Sequence, residues 1–253
     1  MFSRNEKTLV GYLMAGLPTV DDSVRALVAM AESGCDALEI GLPYTDPVMD
    51  GPAVQAASTA ALRNGTRTDD VLRVVEQVAA KTGVPALVMT YWNPVEQYGI
   101  ERFADRLRDA GGAGCVLPDL PVQHSEPWRE VAAERGLNSV FIAAPSSTDR
   151  RIAEIARAST GFVYAASTLG VTGMRSGVGG SELVAKIRTA TELPVFVGIG
   201  VSNGEQARQV AKFADGVIVG SAIVRRMLDA PDAETGIGQV QALCRELAEG
   251  VAA

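Results

Sequence analysis

Eight short apolar segments alternate with longer amphipathic ones from end to end of the chain, and this alternation restricts its fold. The apolar segments are 9–14, 36–40, 86–91, 114–118, 139–143, 161–166, 195–199 and 216–220. Most are nearly continuous hydrophobic runs, which is typical of parallel strands whose faces are covered by helices. Between them, helical spacing predicts helices at 20–34, 68–83, 100–112, 125–136, 148–159, 181–191, 203–214 and about 237–250. Several of these segments have Asp, Ser, Thr or Asn near the start and Gly just after the end.

Eight strand–helix units in 253 residues match the size of a closed (β/α)8 TIM barrel of the α/β class. No linker or shift in composition divides the sequence, so we predict a single barrel domain over residues 1–253. An open doubly wound sheet is the alternative. Such a sheet often has a glycine-rich turn after its first strand, whereas AGLPTVDD follows here and contains no GxGxxG motif.

Composition excludes several classes of function. The net charge is −7 and there is no long basic run, which argues against a nucleic-acid surface. The apolar runs are shorter than the roughly 20 residues of a membrane helix, and the N-terminus has no signal-peptide pattern, so a cytoplasmic protein is expected. The widely separated Cys35, Cys115 and Cys244 indicate reduced core thiols. The single histidine, His124, is expected at the surface.

Glu39 is the most unusual ionisable residue because it lies inside an apolar strand, between Leu38 and Ile40. Reactive groups of such barrels stand at the C-terminal ends of the strands. A carboxylate there would be costly to bury unless its pKa rose or a ligand shared its proton. Glu39 is therefore a candidate general acid and base, and a surface-facing or salt-bridged strand acid is the alternative.

Two further acids, Asp46 and Asp50, follow Glu39 in a loop that contains three prolines. A stiff loop of this length could fold back and present Asp50 across the same cavity as Glu39. Asp46 is more simply explained as a turn residue before proline. Asp119, at the end of the fourth strand, could line the rim or stabilise its own two-proline loop.

Glycines gather after the last three predicted strands, in STLGVTGMRSGVGG, GIGVSNGE and VGSAIV. Backbone amides there, with a short helix beginning at Gly220 and Ser221, could bind an anion without lysine. The phosphate site of TIM barrels lies after strands seven and eight, so a phosphorylated substrate is predicted. The glycines between 170 and 180 also suggest a lid, and Arg175 should be a tryptic site that a phosphorylated ligand protects.

The four lysines lie ahead of the first strand or on helices, so Schiff-base chemistry at a strand end is not expected. One histidine and three scattered cysteines do not make a zinc site. The chemistry that remains after these exclusions is proton transfer by carboxylates, on a phosphate-bearing substrate.

These positions resemble one known family, that of the tryptophan synthase alpha subunit. The matching stretches are LEIGLPYTDPVMDGP, VMTYWNP, GGAGCVLPDLPV, GFVYAASTLGVTGMR, VFVGIGVSN and ADGVIVGSAIV, in that order. The resemblance implies a (β/α)8 barrel that cleaves indole-3-glycerol phosphate to indole and glyceraldehyde 3-phosphate in L-tryptophan biosynthesis. It implies no cofactor or metal in this chain, and a pyridoxal-phosphate-bearing beta subunit as partner in an alpha2-beta2 complex.

By the same resemblance, Glu39 moves protons at the scissile bond and Asp50 binds the indole nitrogen. The substrate-binding positions that it implies are Tyr164, Thr172, Gly173, Gly198, Gly200, Gly220 and Ser221. Family members have a longer segment ahead of the first strand, where about eight residues precede Leu9 here. This difference should affect closure of the barrel floor rather than the catalytic face.

Other assignments are compatible with parts of the pattern. An indole-glycerol-phosphate synthase should carry a strand-end lysine, which is missing. A phosphoribosyl isomerase should have aspartates ending strands one and five, where this chain has Met14-Ala15 and Ala143-Ala144. A non-catalytic regulatory subunit that activates a partner by ligand-linked loop closure is a third alternative, and the intact Glu39 and Asp50 argue against it.

Overall fold

The computed structural model describes residues 2–4, 6–166, 178–198 and 200–253, with side chains of the helix at 178 described from residue 180. Within these ranges all strand pairings are parallel. The strands are β1 (Thr8–Met14), β2 (Ala37–Gly41), β3 (Ala86–Met89), β4 (Gly114–Val116), β5 (Asn138–Val140), β6 (Ile142–Ala143), β7 (Val163–Ala166), β8 (Val195–Gly198) and β9 (Gly216–Val219).

The sheet closes on itself through a single interrupted strand. Its order is β5-β4-β3-β2-β1-β9-β8-β7-β6, and β5 and β6 are separated only by Phe141. β5 pairs with β4 while β6 pairs with β7, so one predicted strand joins both ends of the sheet. The backbone N–H of Tyr164 donates to the Phe141 carbonyl at 3.2 Å across this junction. The predicted barrel is confirmed, and the open doubly wound alternative is wrong.

Helices surround the strands, and most of them begin and end near their predicted limits. They are α1 (Val20–Glu32), α2 (Pro52–Arg63), α3 (Thr68–Thr82), α4 (Trp92–Tyr98), α5 (Ile100–Asp109), α6 (Glu126–Glu134), α7 (Asp149–Ala158), α8 (Val178–Arg188), α9 (Gly204–Ala211), α10 (Ser221–Leu228) and α11 (Ala233–Ala252). Thr19, Thr148, Asn203 and Asp232 cap α1, α7, α9 and α11 through their side-chain oxygens. The sequence patterns did not predict α2 or α4.

Apolar side chains fill both faces of the strands, which explains the continuous hydrophobic runs. The barrel interior is packed by Val10, Ala37, Leu87, Val116, Val140, Phe162, Phe196 and Ile218. A larger cluster lies between the strands and the helices. Because side chains alternate along a strand, the residues two positions beyond the interior layer point into the barrel mouth. This alternation places Tyr12, Glu39, Met89 and Tyr164 at the mouth.

The short segment ahead of β1 fills the barrel floor. The ring of Phe2 packs edge-on against Phe162 and Phe196, at centroid distances of 5.7 and 5.0 Å. The Arg4 guanidinium donates to the carbonyl of Leu193 and pairs with Glu192 at 2.9 Å. One aromatic side chain thus occupies the floor of the barrel, and an effect of the short segment on stability stays a prediction.

Two aspartates, each just ahead of one strand, anchor the N-terminal end of the strand beside it. Asp36 accepts from the Leu9 N–H at 2.7 Å, and Asp215 accepts from the Val195 N–H at 2.9 Å. Asp215 is 2% exposed and also accepts from the Arg188 guanidinium at 2.6 Å. These contacts satisfy strand N–H groups at the lower edge of the barrel.

Three further expectations, on the cysteines, the histidine and membrane helices, can also be compared with the structure. The cysteines are buried and free, as predicted. His124 lies exposed in a short 3-10 turn (Val122–His124). Within the described ranges, no helix has both the length and the apolar character needed to cross a membrane.

Candidate active site

A cavity of about 190 Å³ opens at the C-terminal ends of the strands. Seven of the nine predicted site residues line it: Glu39, Asp50, Tyr164, Gly198, Gly200, Gly220 and Ser221. The other two, Thr172 and Gly173, lie outside the described residues, as does the predicted tryptic site Arg175. These seven residues come from five separate parts of the chain, from β2 to α10, which meet around one space.

Glu39 points into this cavity from the middle of β2, two residues beyond Ala37 of the interior layer. The residue is 1% exposed, and no described group hydrogen-bonds its Oε1 atom. Burial raises the pKa of Glu39 to about 8. The carboxyl group is therefore largely protonated at neutral pH, yet it can lose its proton within the physiological range. The surface-facing and salt-bridged alternatives are wrong for the described residues.

Asp50 reaches the same cavity from the loop between β2 and α2. The Tyr91 hydroxyl donates to its carboxylate and accepts from the Met49 N–H at 2.9 Å. Burial raises the pKa of Asp50 to about 6, and the hydrogen bond from Tyr91 opposes this rise. At neutral pH Asp50 is mostly ionised beside a mostly protonated Glu39, so the two acids are prepared for different roles.

The other two acids considered from the sequence serve the loops. Asp46 accepts from the Thr45 hydroxyl at 2.6 Å, and its carbonyl accepts from the Val48 N–H at 2.9 Å. Asp119 accepts from the Trp92 N–H at 2.8 Å and so holds the start of α4. Neither lines the cavity.

Tyr164 stands beside Glu39 and depends on a glycine in the next strand. A Cβ atom at Gly198 would lie 2.3 Å from the Tyr164 hydroxyl, so only glycine leaves room for this ring. Burial, then the charges of Glu39 and Asp50, raise the pKa of Tyr164. Its hydroxyl consequently keeps its proton and can donate a hydrogen bond inside the cavity.

The opposite part of the lining consists of backbone. Gly200 has a left-handed φ of 76°, and Gly220 and Ser221 begin α10 without a side-chain cap. The first N–H groups of a helix have no partner within the helix and favour an anion. This end of the cavity is suited to a phosphate group.

Sequence reasoning missed several lining residues, of which Tyr12 is the most polar. It pairs in register with Glu39 on the adjacent strand and lies two residues beyond Val10. Strand alternation was the signal that could have found it, together with Met89 and Ile218. Met49, which is 61% exposed, gave no such signal because it lies in a loop.

Two carboxyl groups with separated pKa values, facing backbone amides at the mouth of a parallel barrel, define an acid–base enzyme of the TIM-barrel class. The family model described as tryptophan synthase alpha chain matches residues 1–252. This chain belongs to the tryptophan synthase alpha chain family.

Individual relatives and solved structures agree with this family assignment. The chain is 55% identical to the tryptophan synthase alpha chain of Streptomyces avermitilis, covering 98% of this chain and 91% of the relative. It is similar to ligand-free tryptophan synthase from M. tuberculosis, with a TM-score of 0.90 and 45% identity over 98% and 94% of the two chains. It is also similar to a tryptophan synthase alpha subunit from Legionella pneumophila, with a TM-score of 0.89 and 31% identity over 98% of this chain and 94% of the other.

The protein is therefore a carbon–carbon lyase of tryptophan biosynthesis that catalyses the alpha reaction, as the resemblance implied. The assignments to a synthase or isomerase barrel, and to a non-catalytic subunit, are set aside.

Proposed function

We propose that Glu39 and Asp50 share the work of cleaving indole-3-glycerol phosphate to indole and glyceraldehyde 3-phosphate. Breaking the bond requires a proton on indole C3 and the loss of one from the hydroxyl on the adjacent carbon. The electron pair of the broken O–H bond forms the new carbonyl, and the electrons of the C–C bond return to the indole ring. Glu39 can give the first proton and accept the second.

Asp50 has a different part in this proposal. Protonation of C3 places positive charge on the indole nitrogen, and an ionised carboxylate close to that nitrogen lowers the energy of the intermediate. The pKa of about 6 keeps Asp50 charged at neutral pH. Thr172 and Gly173 are proposed, from the family motif, to contact the substrate together with Tyr164.

The phosphate of the substrate is proposed to bind the backbone amides around Gly198, Gly200, Gly220 and Ser221. The first turn of α10, which no side chain of the described residues caps, supports this placement. The whole activity is proposed to reside in one domain over residues 1–253. The chain is further proposed to act in the cytoplasm and to pass indole to a pyridoxal-phosphate-bearing beta subunit in an alpha2-beta2 complex.

The observation that carries the proposal is the buried carboxyl group of Glu39, whose Oε1 atom has no hydrogen-bond partner among the described residues. Glu39→Gln keeps the shape but cannot exchange the proton, so indole release should fall by at least about 10³-fold, near the upper end for a positioned acid–base group. Glu76→Gln, on the exposed side of α3, is the matched control and should retain full activity. Turnover of Glu39→Gln close to that of the unaltered chain would refute the assignment.

The partner proposal has its own measurement. Indole release is measured for this chain with and without added beta subunit, and complex formation is followed by analytical ultracentrifugation. A stimulated rate and a particle of two alpha and two beta chains are expected. An unchanged rate and separate sedimentation would contradict the partner assignment without touching the roles of Glu39 and Asp50.

A further inference from the structure

Tyr12 extends along one wall of the cavity, from the backbone end to the acid end. A Cβ atom at Gly220, next to the start of α10, would lie 3.4 Å from its Cδ1 atom. A Cβ atom at Gly41 would lie 2.3 Å from its hydroxyl oxygen. Gly41 follows Glu39 by two residues on the same face of β2. The ring therefore begins near the proposed phosphate site and ends beside the proposed acid.

The substrate has to cover the same distance. With its phosphate at the amides of α10 and its scissile carbon at Glu39, the glycerol carbons must pass along the Tyr12 ring. The glycerol chain of the substrate carries two hydroxyl groups. Glu39 takes the proton of the one on the scissile carbon, which leaves the hydroxyl on the middle carbon without an assigned partner.

The Tyr12 hydroxyl is available for that group. The residue is 6% exposed and lines the cavity, and no hydrogen bond connects its hydroxyl to any group of the described residues. Burial, followed by the charges of Asp50 and Glu39, raises the pKa of Tyr12 well above its ordinary value. The phenol thus keeps its proton and can donate it to an uncharged oxygen.

We propose that the Tyr12 hydroxyl donates a hydrogen bond to the middle hydroxyl of the glycerol chain and so selects substrates that carry it. The inference rests on the proposed function, since it uses the same placement of phosphate and scissile carbon. A site built to hydrogen-bond a hydroxyl group discriminates against an analogue that lacks it, because the buried donor is then left unpaired. Tyr12 is a specificity residue in this proposal, and Glu39 remains the group that moves protons.

The test compares two ligands that differ by one hydroxyl, glycerol 3-phosphate and 1,3-propanediol monophosphate. Binding of each to the full chain is measured by titration calorimetry. The unaltered protein should bind glycerol 3-phosphate roughly 3- to 10-fold more tightly, the size of one uncharged hydrogen bond. Tyr12→Phe should bind both ligands equally, at the level of the deoxy compound. Tyr98→Phe, which removes a hydroxyl that donates to Asp69 on the helical surface, should behave like the unaltered protein.

A second variant, on strand β2, blocks the same hydroxyl group. Gly41→Ala introduces a methyl group where the Tyr12 hydroxyl now lies, so it should reduce the preference in the same way. In the Tyr12→Phe background it should reduce the preference no further. Tyr12→Phe removes a single oxygen, and an unchanged circular dichroism spectrum would show that the barrel is intact.

The outcomes separate this inference from the function on which it rests. If Tyr12→Phe keeps the preference for glycerol 3-phosphate, the inference fails while the phosphate site stands. If Tyr12→Phe weakens the binding of both ligands equally, Tyr12 only packs in the cavity wall and recognises no hydroxyl group. This result would also overturn the inference. If the unaltered protein binds neither ligand, the inference and the proposed phosphate site fail together.

Discussion

The Tyr91 hydroxyl holds Asp50 in the candidate active-site cavity, donating to its carboxylate while it accepts from the N–H of Met49 at 2.9 Å. Tyr91 directly precedes α4, whereas Asp50 lies in the loop after β2. One phenol therefore fixes both the position and the charge of the acid from a different part of the barrel.

The separate pKa values of the two acids predict a bell-shaped dependence of kcat/KM on pH. Asp50 has to be ionised, so activity should fall as pH drops below about 6. Glu39 has to hold a proton to give to indole C3, so activity should fall as pH rises above about 8. Initial rates of indole release between pH 5 and 9.5 measure both limbs. A rate that stays flat across this range would contradict the assignment.

Tyr91→Phe should move the acidic limb of that profile alone. Removing the hydroxyl removes the hydrogen bond that lowers the pKa of Asp50, so the acidic limb should shift to higher pH. Activity at pH 6.5 should fall several-fold and recover in part at pH 8, while the alkaline limb set by Glu39 stays in place. A loss of equal size at every pH would indicate a purely structural role for Tyr91.

Glu39 should lower the stability of the folded chain at neutral pH. Its ordinary pKa is 4.5 and its folded value about 8, so below pH 4.5 both states are protonated and no penalty exists. As pH rises from 4.5 to 8 the unfolded chain releases the proton while the folded chain retains it, and the free energy of unfolding falls. Glu39→Gln should thus be more stable at pH 7.5, by up to roughly 4 kcal/mol.

Urea denaturation of both proteins at several pH values checks this prediction. The stability difference should shrink steadily towards pH 4.5. A difference that does not change with pH would mean that ionisation of Glu39 is not the cause.

Asp215→Ala should destabilise the barrel without altering its chemistry. Asp215 is 2% exposed and binds both the Val195 N–H and the Arg188 guanidinium. Its loss leaves the buried Val195 N–H without an acceptor and removes the partner of the more exposed Arg188 guanidinium, at a cost of about 1–3 kcal/mol. The urea midpoint should fall, and kcat per folded molecule should stay the same.

The control for this variant is Glu192→Ala. Glu192 is 95% exposed where it pairs with Arg4, and exposed pairs contribute at most about 1 kcal/mol. If both substitutions lowered the midpoint equally, the buried anchor at Asp215 would have no special importance.

Much of the architecture was predictable because it depends on patterns local to the chain. Continuous apolar runs identified the strands, and capped amphipathic segments identified α1, α3 and α7. By contrast, α2 is rich in alanine and has only a proline at its start to mark it. The break of one strand at Phe141 was also missed, since it arises from pairing with two different neighbours.

The candidate site likewise has features that the sequence predicted and features that it did not. Glu39 was identifiable because a carboxyl group within an apolar strand is costly unless it has a use. Gly198 was predicted to contact the phosphate, and its missing side chain also makes room for Tyr164. No local pattern contains this relationship between two strands. Asp46 and Asp119 could be assigned to their loops only once their hydrogen-bond partners were known.

By itself, the sequence determined the barrel, the acids available to it and the family to which it belongs, because these follow from periodicity, residue type and motif. Only the tertiary structure decided which acid keeps its proton. Burial separates the pKa values of Glu39 and Asp50, and the Tyr91 hydroxyl moderates the second. Burial and hydrogen bonding are properties of groups brought together from distant strands, and so they exist only in the folded chain.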